Sequence, residues 1–229
     1  MTMLPFCFLI FLCETGFGQL VPSASPSGFQ RTVVFIKRQS YPSQYVFLRG
    51  GRYDGSPIPI RHRVQPTIGS DSRYYDWSQG DNNLDWDAQE KGQWNFKSFQ
   101  RPGGTPLMWT TNVQGTVNVT KDGAGYTPIN TMGPHYWMMD VDMDCNKTDD
   151  GWFQLKAFVV HGEKNDYISW NGNNGEWERG VEQTTCWGDH KKFSGVNNHV
   201  AKCGAINVFT YGEGTPCVVS KSFGDPLLG

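Results

Sequence analysis

Asp140, Asp142 and Asp144 occupy alternate positions in the run His135-Tyr-Trp-Met-Met-Asp-Val-Asp-Met-Asp-Cys145. In an extended chain successive side chains point to opposite faces, so the three carboxylates stand in one row, with Trp137, Met139, Val141 and Met143 on the other face. Like charges in such a row repel unless something positive sits among them. A hard cation such as Ca²⁺ would serve, because it takes carboxylate and amide oxygens, and Asn146, Asp149 and Asp150 follow at once. Facing Lys or Arg side chains would serve as well and leave an ordinary charged strand face. The spacing is not that of an EF-hand: counted from Asp140, the sixth residue is Cys145 instead of Gly and the twelfth is Gly151 instead of Glu.

A second chemistry is written in the nine tryptophans, several of which sit among Asp, Asn, Gln and Gly: Asp76-Trp77-Ser78-Gln79-Gly80-Asp81, Leu84-Asp85-Trp86-Asp87, Trp170-Asn171-Gly172-Asn173. A flat indole stacks on the apolar face of a sugar ring while neighbouring carboxylates and amides take its hydroxyls. Trp77, Trp86 and Trp109 are the candidate platforms, Asp81 and Asp85 the candidate hydroxyl acceptors. The competing reading is that these rings fill the core, where large aromatics usually go. Covalent chemistry finds little support. Gly-x-Ser-x-Gly, His-Glu-x-x-His and a P-loop are absent, and His62, His135, His161, His190 and His199 are scattered. Asp85 with Asp87 or Glu90 could form a glycosidase pair, but no surrounding motif singles them out. Asn118-Val-Thr120 and Asn146-Lys-Thr148 are acceptors for N-linked sugar, and a sugar on Asn146 would compete sterically with a ligand at the acidic row.

These groups must be positioned by strands. Residues 31–38 and 44–49 are β-rich runs joined by the turn-forming Ser40-Tyr-Pro-Ser43, which reads as a hairpin. Residues 135–145 and 152–160 read as another, its turn closing on Asp150-Gly151. Pro59 confines 58–64 to an edge or a bulge. Residues 107–111, 116–120 and 205–211 supply further strands, the last being the final one, and loops dominate 69–131. Helical periodicity is absent. The expected fold is all-β, an antiparallel β-sandwich of jelly-roll type with long loops.

The apolar run Leu4–Leu12, followed by Gly16-Phe17-Gly18, reads as a signal peptide over residues 1–18. Residues 19–30, rich in Ser and Pro, read as a flexible lead-in, and 31–229 as one domain. Beyond the leader, no stretch reaches the roughly 18–20 apolar residues of a membrane helix. The leader removes two of six cysteines and leaves Cys145, Cys186, Cys203 and Cys217 for an oxidising compartment. Three connectivities are open, and the expected one is Cys145 with Cys203 and Cys186 with Cys217. With 22 acidic against 20 basic side chains and no basic block, nothing favours nucleic acid as partner.

Read together and in order, several blocks form a pattern: Arg31-Thr-Val-Val-Phe-Ile-Lys-Arg-Gln39, Tyr45-Val-Phe-Leu-Arg-Gly-Gly51, Ile58-Pro-Ile-Arg-His-Arg63, Trp77-Ser-Gln-Gly-Asp81, Pro106-Leu-Met-Trp-Thr-Thr111, Gly125-Tyr-Thr-Pro128, His135 to Cys145, and Ala201-Lys-Cys-Gly-Ala-Ile-Asn-Val-Phe209. The chain thereby resembles the accessory module found at the C-terminal end of some long invertebrate and bacterial α-amylases. The resemblance implies a non-catalytic module that binds α-glucan or a related polysaccharide. It carries over no amylase activity, since about 210 residues cannot hold the catalytic barrel. No binding residue transfers, and the stretch from Gly172 to Gly188, with Cys186, departs from the pattern. The expectation is therefore a secreted, non-enzymatic, lectin-like protein recognising a polysaccharide or glycan. Two alternatives stand beside it: an extracellular-matrix or biomineral protein whose acidic strand engages calcium, and a glycoside hydrolase.

Overall fold

The computed structural model describes residues 28–41, 44–63, 73–87, 103–115, 125–161, 175–181, 183, 186–188 and 197–220. The expected leader, most of the lead-in, the run 116–120 and Asn118 lie outside the described residues. In chain order the strands are β1 (Phe29–Lys37), β2 (Gln44–Gly51) and β3 (Ile58–His62); after the short helix α1 (Arg73–Ser78) come β4 (Asn83–Leu84), β5 (Thr105–Pro106), β6 (Met108–Thr111) and β7 (Gly125–Tyr126). Then follow β8 (Tyr136–Asp144), β9 (Trp152–His161), β10 (Gly175–Trp177), β11 (Trp187–Gly188), β12 (His199–Lys202), β13 (Ile206–Thr210) and β14 (Glu213–Ser220). β1 opens at Phe29, two residues before Arg31.

The fold is an all-β sandwich. One sheet has nine strands, ordered β11-β14-β13-β1-β8-β3-β4, with β6 sharing an edge of β8 and β7 beside β6. The other has five, ordered β10-β9-β2-β5, with β12 also on β9. Most pairings are antiparallel as expected, but β1 with β13, β6 with β7 and β11 with β14 run parallel. The last expected strand, β13, is followed by one more, β14.

Neither expected hairpin forms. β1 and β8 pair with each other over Phe29↔Asp144 to Lys37↔Tyr136 in the large sheet, while β2 and β9 pair over Gln44↔His161 to Gly51↔Gln154 in the small one. The chain thus crosses from one sheet to the other after β1 and again after β8. Packed sheets lie about 10 Å apart, a distance that six or seven connecting residues span easily. The Asp-Gly turn does form, with Asp150 at φ 53° and Gly151 at φ 84°, yet it closes only the isolated Asp149↔Trp152 bridge.

The central core lies between the sheets and takes alternate residues from the long strands: Val34 and Ile36, Val46 and Leu48, Met139 and Val141, Leu155 and Val159. Each sheet also carries apolar residues on its outer face: Val33, Phe35 and Met138 on the large one, and Phe47, Phe158 and Val160 on the small one. Helix α1 adds a ring to each of these clusters. Tyr74 and Trp77 lie three apart and project on the same side; Tyr74 joins the first outer cluster and Trp77 the second. Both expected disulfides, Cys145–Cys203 and Cys186–Cys217, are formed.

Candidate functional site

On β2, Tyr45, Phe47 and Arg49 point outward because Val46 and Leu48 fill the core. Register then builds a surface across three strands. Phe47 stands opposite Phe158 on β9, and Phe158 opposite Trp177 on β10. The Phe158 and Trp177 rings meet edge to face at 5.1 Å, and Trp177 remains 38% exposed. Next to this aromatic row stand Arg49 and its cross-strand partner Lys156. The Arg49 guanidinium carbon lies 4.6 Å from the Phe158 ring centre and 4.9 Å from that of Trp177. Its Nε donates to the Gly103 carbonyl at 2.6 Å, and Nη1 reaches the Trp86 carbonyl at 3.5 Å.

Segment 85–87 reaches this place through two glycines. The Gly50 N–H donates to the Asp85 carbonyl at 3.0 Å. At Gly51 the indole Nε1 of Trp86 comes within ordinary contact distance, and a Cβ there would instead press on the Ser56 carbonyl oxygen at 2.6 Å. Burial lowers the pKa of Arg49, and the carboxylates of Asp85 and Asp87 act in the opposite sense. The result is an exposed indole with a fixed cation beside it and two carboxylates within electrostatic reach.

Of the residues expected to bind sugar, Asp85 and Trp86 are brought to this surface. Trp77 is enclosed against the outer face of the sheet, packed at 5.0 Å on Tyr45 and 4.9 Å on Phe47. Asp81 is enclosed too: His62 Nε2 donates to it at 2.6 Å and Thr105 Oγ1 at 3.4 Å, while the Tyr74 hydroxyl donates to His62 Nδ1 at 2.9 Å. Burial pushes the Asp81 carboxyl up and the donors from His62 and Thr105 pull it down, with burial prevailing. Trp109 lies in the other sheet, half-buried, its Nε1 donating to His135 at 3.3 Å. Arg49 and Trp177 were not singled out from sequence. Trp177 lies in Gly175-Glu-Trp-Glu-Arg179, which has no long apolar run to announce a strand, and only register puts Phe158 beside it.

The acidic row lies on the outer face of β8 between two basic strands. Both oxygens of Asp140 take Arg31, Nε at 3.0 Å and Nη2 at 2.8 Å, with Arg63 Nε 4.0 Å away. Asp142 Oδ1 takes Arg63 Nη1 at 2.7 Å, and Asp144 Oδ1 accepts the backbone N–H of Asn146 at 3.1 Å. Asp140 and one oxygen of Asp142 are thus paired with arginine, and among the described residues no group of three or more His, Cys, Asp or Glu is placed to hold a metal ion. Asn146 itself is exposed, in a 3₁₀ turn at Cys145–Lys147. Among the described residues no helix is long and apolar enough to cross a membrane.

No family model, no curated protein and no solved structure matches this chain.

Proposed function

We propose that the protein is a secreted, non-enzymatic carbohydrate-binding module whose ligand lies across Trp177. The observation that carries this reading is the exposed indole of Trp177, backed by Phe158 and flanked by Arg49, with Asp85 and Asp87 nearby. An indole supplies a stacking platform, and a guanidinium and carboxylates supply donors and acceptors for vicinal hydroxyls. The resemblance to amylase accessory modules supports the same class of ligand. Two disulfides fit an oxidising compartment.

The mineral-matrix alternative draws on the acidic row, of which Asp140 and Asp142 are paired with Arg31 and Arg63. A hydrolase would be favoured instead if some glycoside were turned over and Asp85→Asn abolished that turnover.

The test is a glycan array run with and without calcium, followed by affinity electrophoresis of Trp177→Ala. Binding should weaken about tenfold, equivalent to ~1.4 kcal/mol, while the melting temperature stays nearly unchanged. Absence of wild-type retention on starch, glycogen, chitin and acidic polysaccharides would sink the proposal.

A further inference from the structure

Trp177 is carried by a strand of only three residues, and among the described residues that strand pairs with β9 alone. Besides the Glu176–Arg38 pair and the packing of Trp177 on Phe158, its neighbour Glu178 anchors it. Glu178 is buried, and its carboxylate collects three donors: His199 Nε2 at 2.9 Å and the Gly212 N–H at 2.6 Å on Oε1, and the Ala157 N–H at 2.9 Å on Oε2. The Glu178 N–H in turn donates to the Ala157 carbonyl at 3.0 Å, which extends the β10–β9 pairing by one residue. The donors come from β9, from β12 and from the turn between β13 and β14, so one carboxylate ties both sheets to the end of β10.

His199 is stacked on Phe209 at 4.4 Å, and its Nδ1 has no partner among the described residues. A proton there would be a buried, unsatisfied N–H, so the network keeps the ring proton on Nε2, where it meets Glu178. Among the described residues, the other charged and titratable groups near the carboxylate include the adjacent Arg179, Tyr211, the Arg38 guanidinium 3.8 Å above the Tyr211 ring, and Glu176, paired with Arg38 at 2.8 Å.

We propose that Glu178 is the positioning residue for the Trp177 platform, and that acid releases the platform by protonating it. A carboxylic acid carries a proton of its own into a place where three donors converge, so at least one buried N–H loses its acceptor. Burial pushes the Glu178 carboxyl up, but the donors from His199, Ala157 and Gly212 outweigh it and hold the group below its ordinary value. A carboxylate depressed in this way stabilises the fold above its unfolded pKa, and that stabilisation is lost as pH falls through the lower folded value. The release therefore belongs below pH 4.5, the reference value for a free glutamate. Its meaning for sugar binding rests on the function proposed above; the positioning of the indole does not.

The experiment isolates the emission of Trp177 in the full chain as the difference between wild type and Trp177→Phe, and follows its quenching by acrylamide from about pH 6 to about pH 3. Near-UV circular dichroism reports the whole fold in parallel. Quenching of wild-type Trp177, already partly exposed in the native fold, should rise further below pH 4.5 before the fold melts. Glu178→Gln should show the accessible signal at neutral pH, with retention on the polysaccharide bound by wild type reduced roughly tenfold, the scale of one buried hydrogen bond left unmade. Quenching that stays flat until global unfolding overturns the proposal, as does a Glu178→Gln protein quenched like wild type. Should Glu178→Gln fail to fold, the wild-type titration decides alone. If wild type binds no polysaccharide, the glycan reading falls and the quenching still decides the role of Glu178.

Discussion

Asp140 shows how a single side chain can look like a ligand and serve as an anchor. Its side chain is 4% exposed, and it faces Arg31 bidentately from β1 and Arg63 from just beyond β3. Replacing it by Asn keeps the shape and removes the charge, which leaves the Arg31 guanidinium without its bidentate counterion, while Arg63 keeps Asp142. Arg31 retains 31% exposure, so solvent absorbs part of the loss, and the expected destabilisation is about 2 kcal/mol, below the full cost of breaking a buried pair. Urea unfolding should show a lower midpoint at constant slope; an unchanged midpoint would mean that the arginines do not depend on this carboxylate. The alternation of the three acids was plain in the sequence. That Arg31, Arg61 and Arg63 would flank them was not, because the facing residues lie about 80 and 110 positions away along the chain and only register brings them there.

At the scale of elements, the long strands were legible and their partners were not. β1 reads Val33-Val-Phe-Ile36 and is buried on both faces, as is Met138-Met-Asp-Val141 in β8. Alternation marks a partner sheet only when one face is wet, so nothing local separates a hairpin from an arch between two sheets. β10, which carries Trp177, and the neighbouring β4 and β5 are two or three residues long and have no periodicity to detect. Gly50 is the element-scale hinge of that surface: a Cβ there would press into the Gln154 carbonyl on β9. Gly50→Ala should force β2 away from β9 and cost about 1–3 kcal/mol. Because the Gly50 N–H also holds Asp85, glycan retention should fall by more than the stability loss explains. Equal losses in both measurements would place the glycine in packing alone.

For the molecule as a whole, the two disulfides close what the sheets leave open. Cys145–Cys203 ties the end of β8 to the connection between β12 and β13, and Cys186–Cys217 ties the segment entering β11 to β14. Their closed loops span 58 and 31 residues, for which the chain-entropy relation gives about 4 kcal/mol each. Cys186→Ala with Cys217→Ala should therefore lower the melting temperature by several degrees while the central core, with Val34, Met139 and Leu155, stays folded. A melting temperature unaffected by the double replacement would show that the reduced chain is already constrained in this region. The pairing was one of three open to four cysteines, and it turned on which strand ends meet in space.

The sequence by itself determined the class of the fold, the long strands and the cysteines available for disulfides, since alternation, β-branched runs and composition act over a few residues. Tertiary structure decided which strands pair, that arginines neutralise Asp140 and Asp142, that Trp77 and Asp81 are enclosed, and that Trp177 with Arg49 faces outward. Pairing two strands depends on burying a common core between residues far apart in the chain, and no local pattern carries that information.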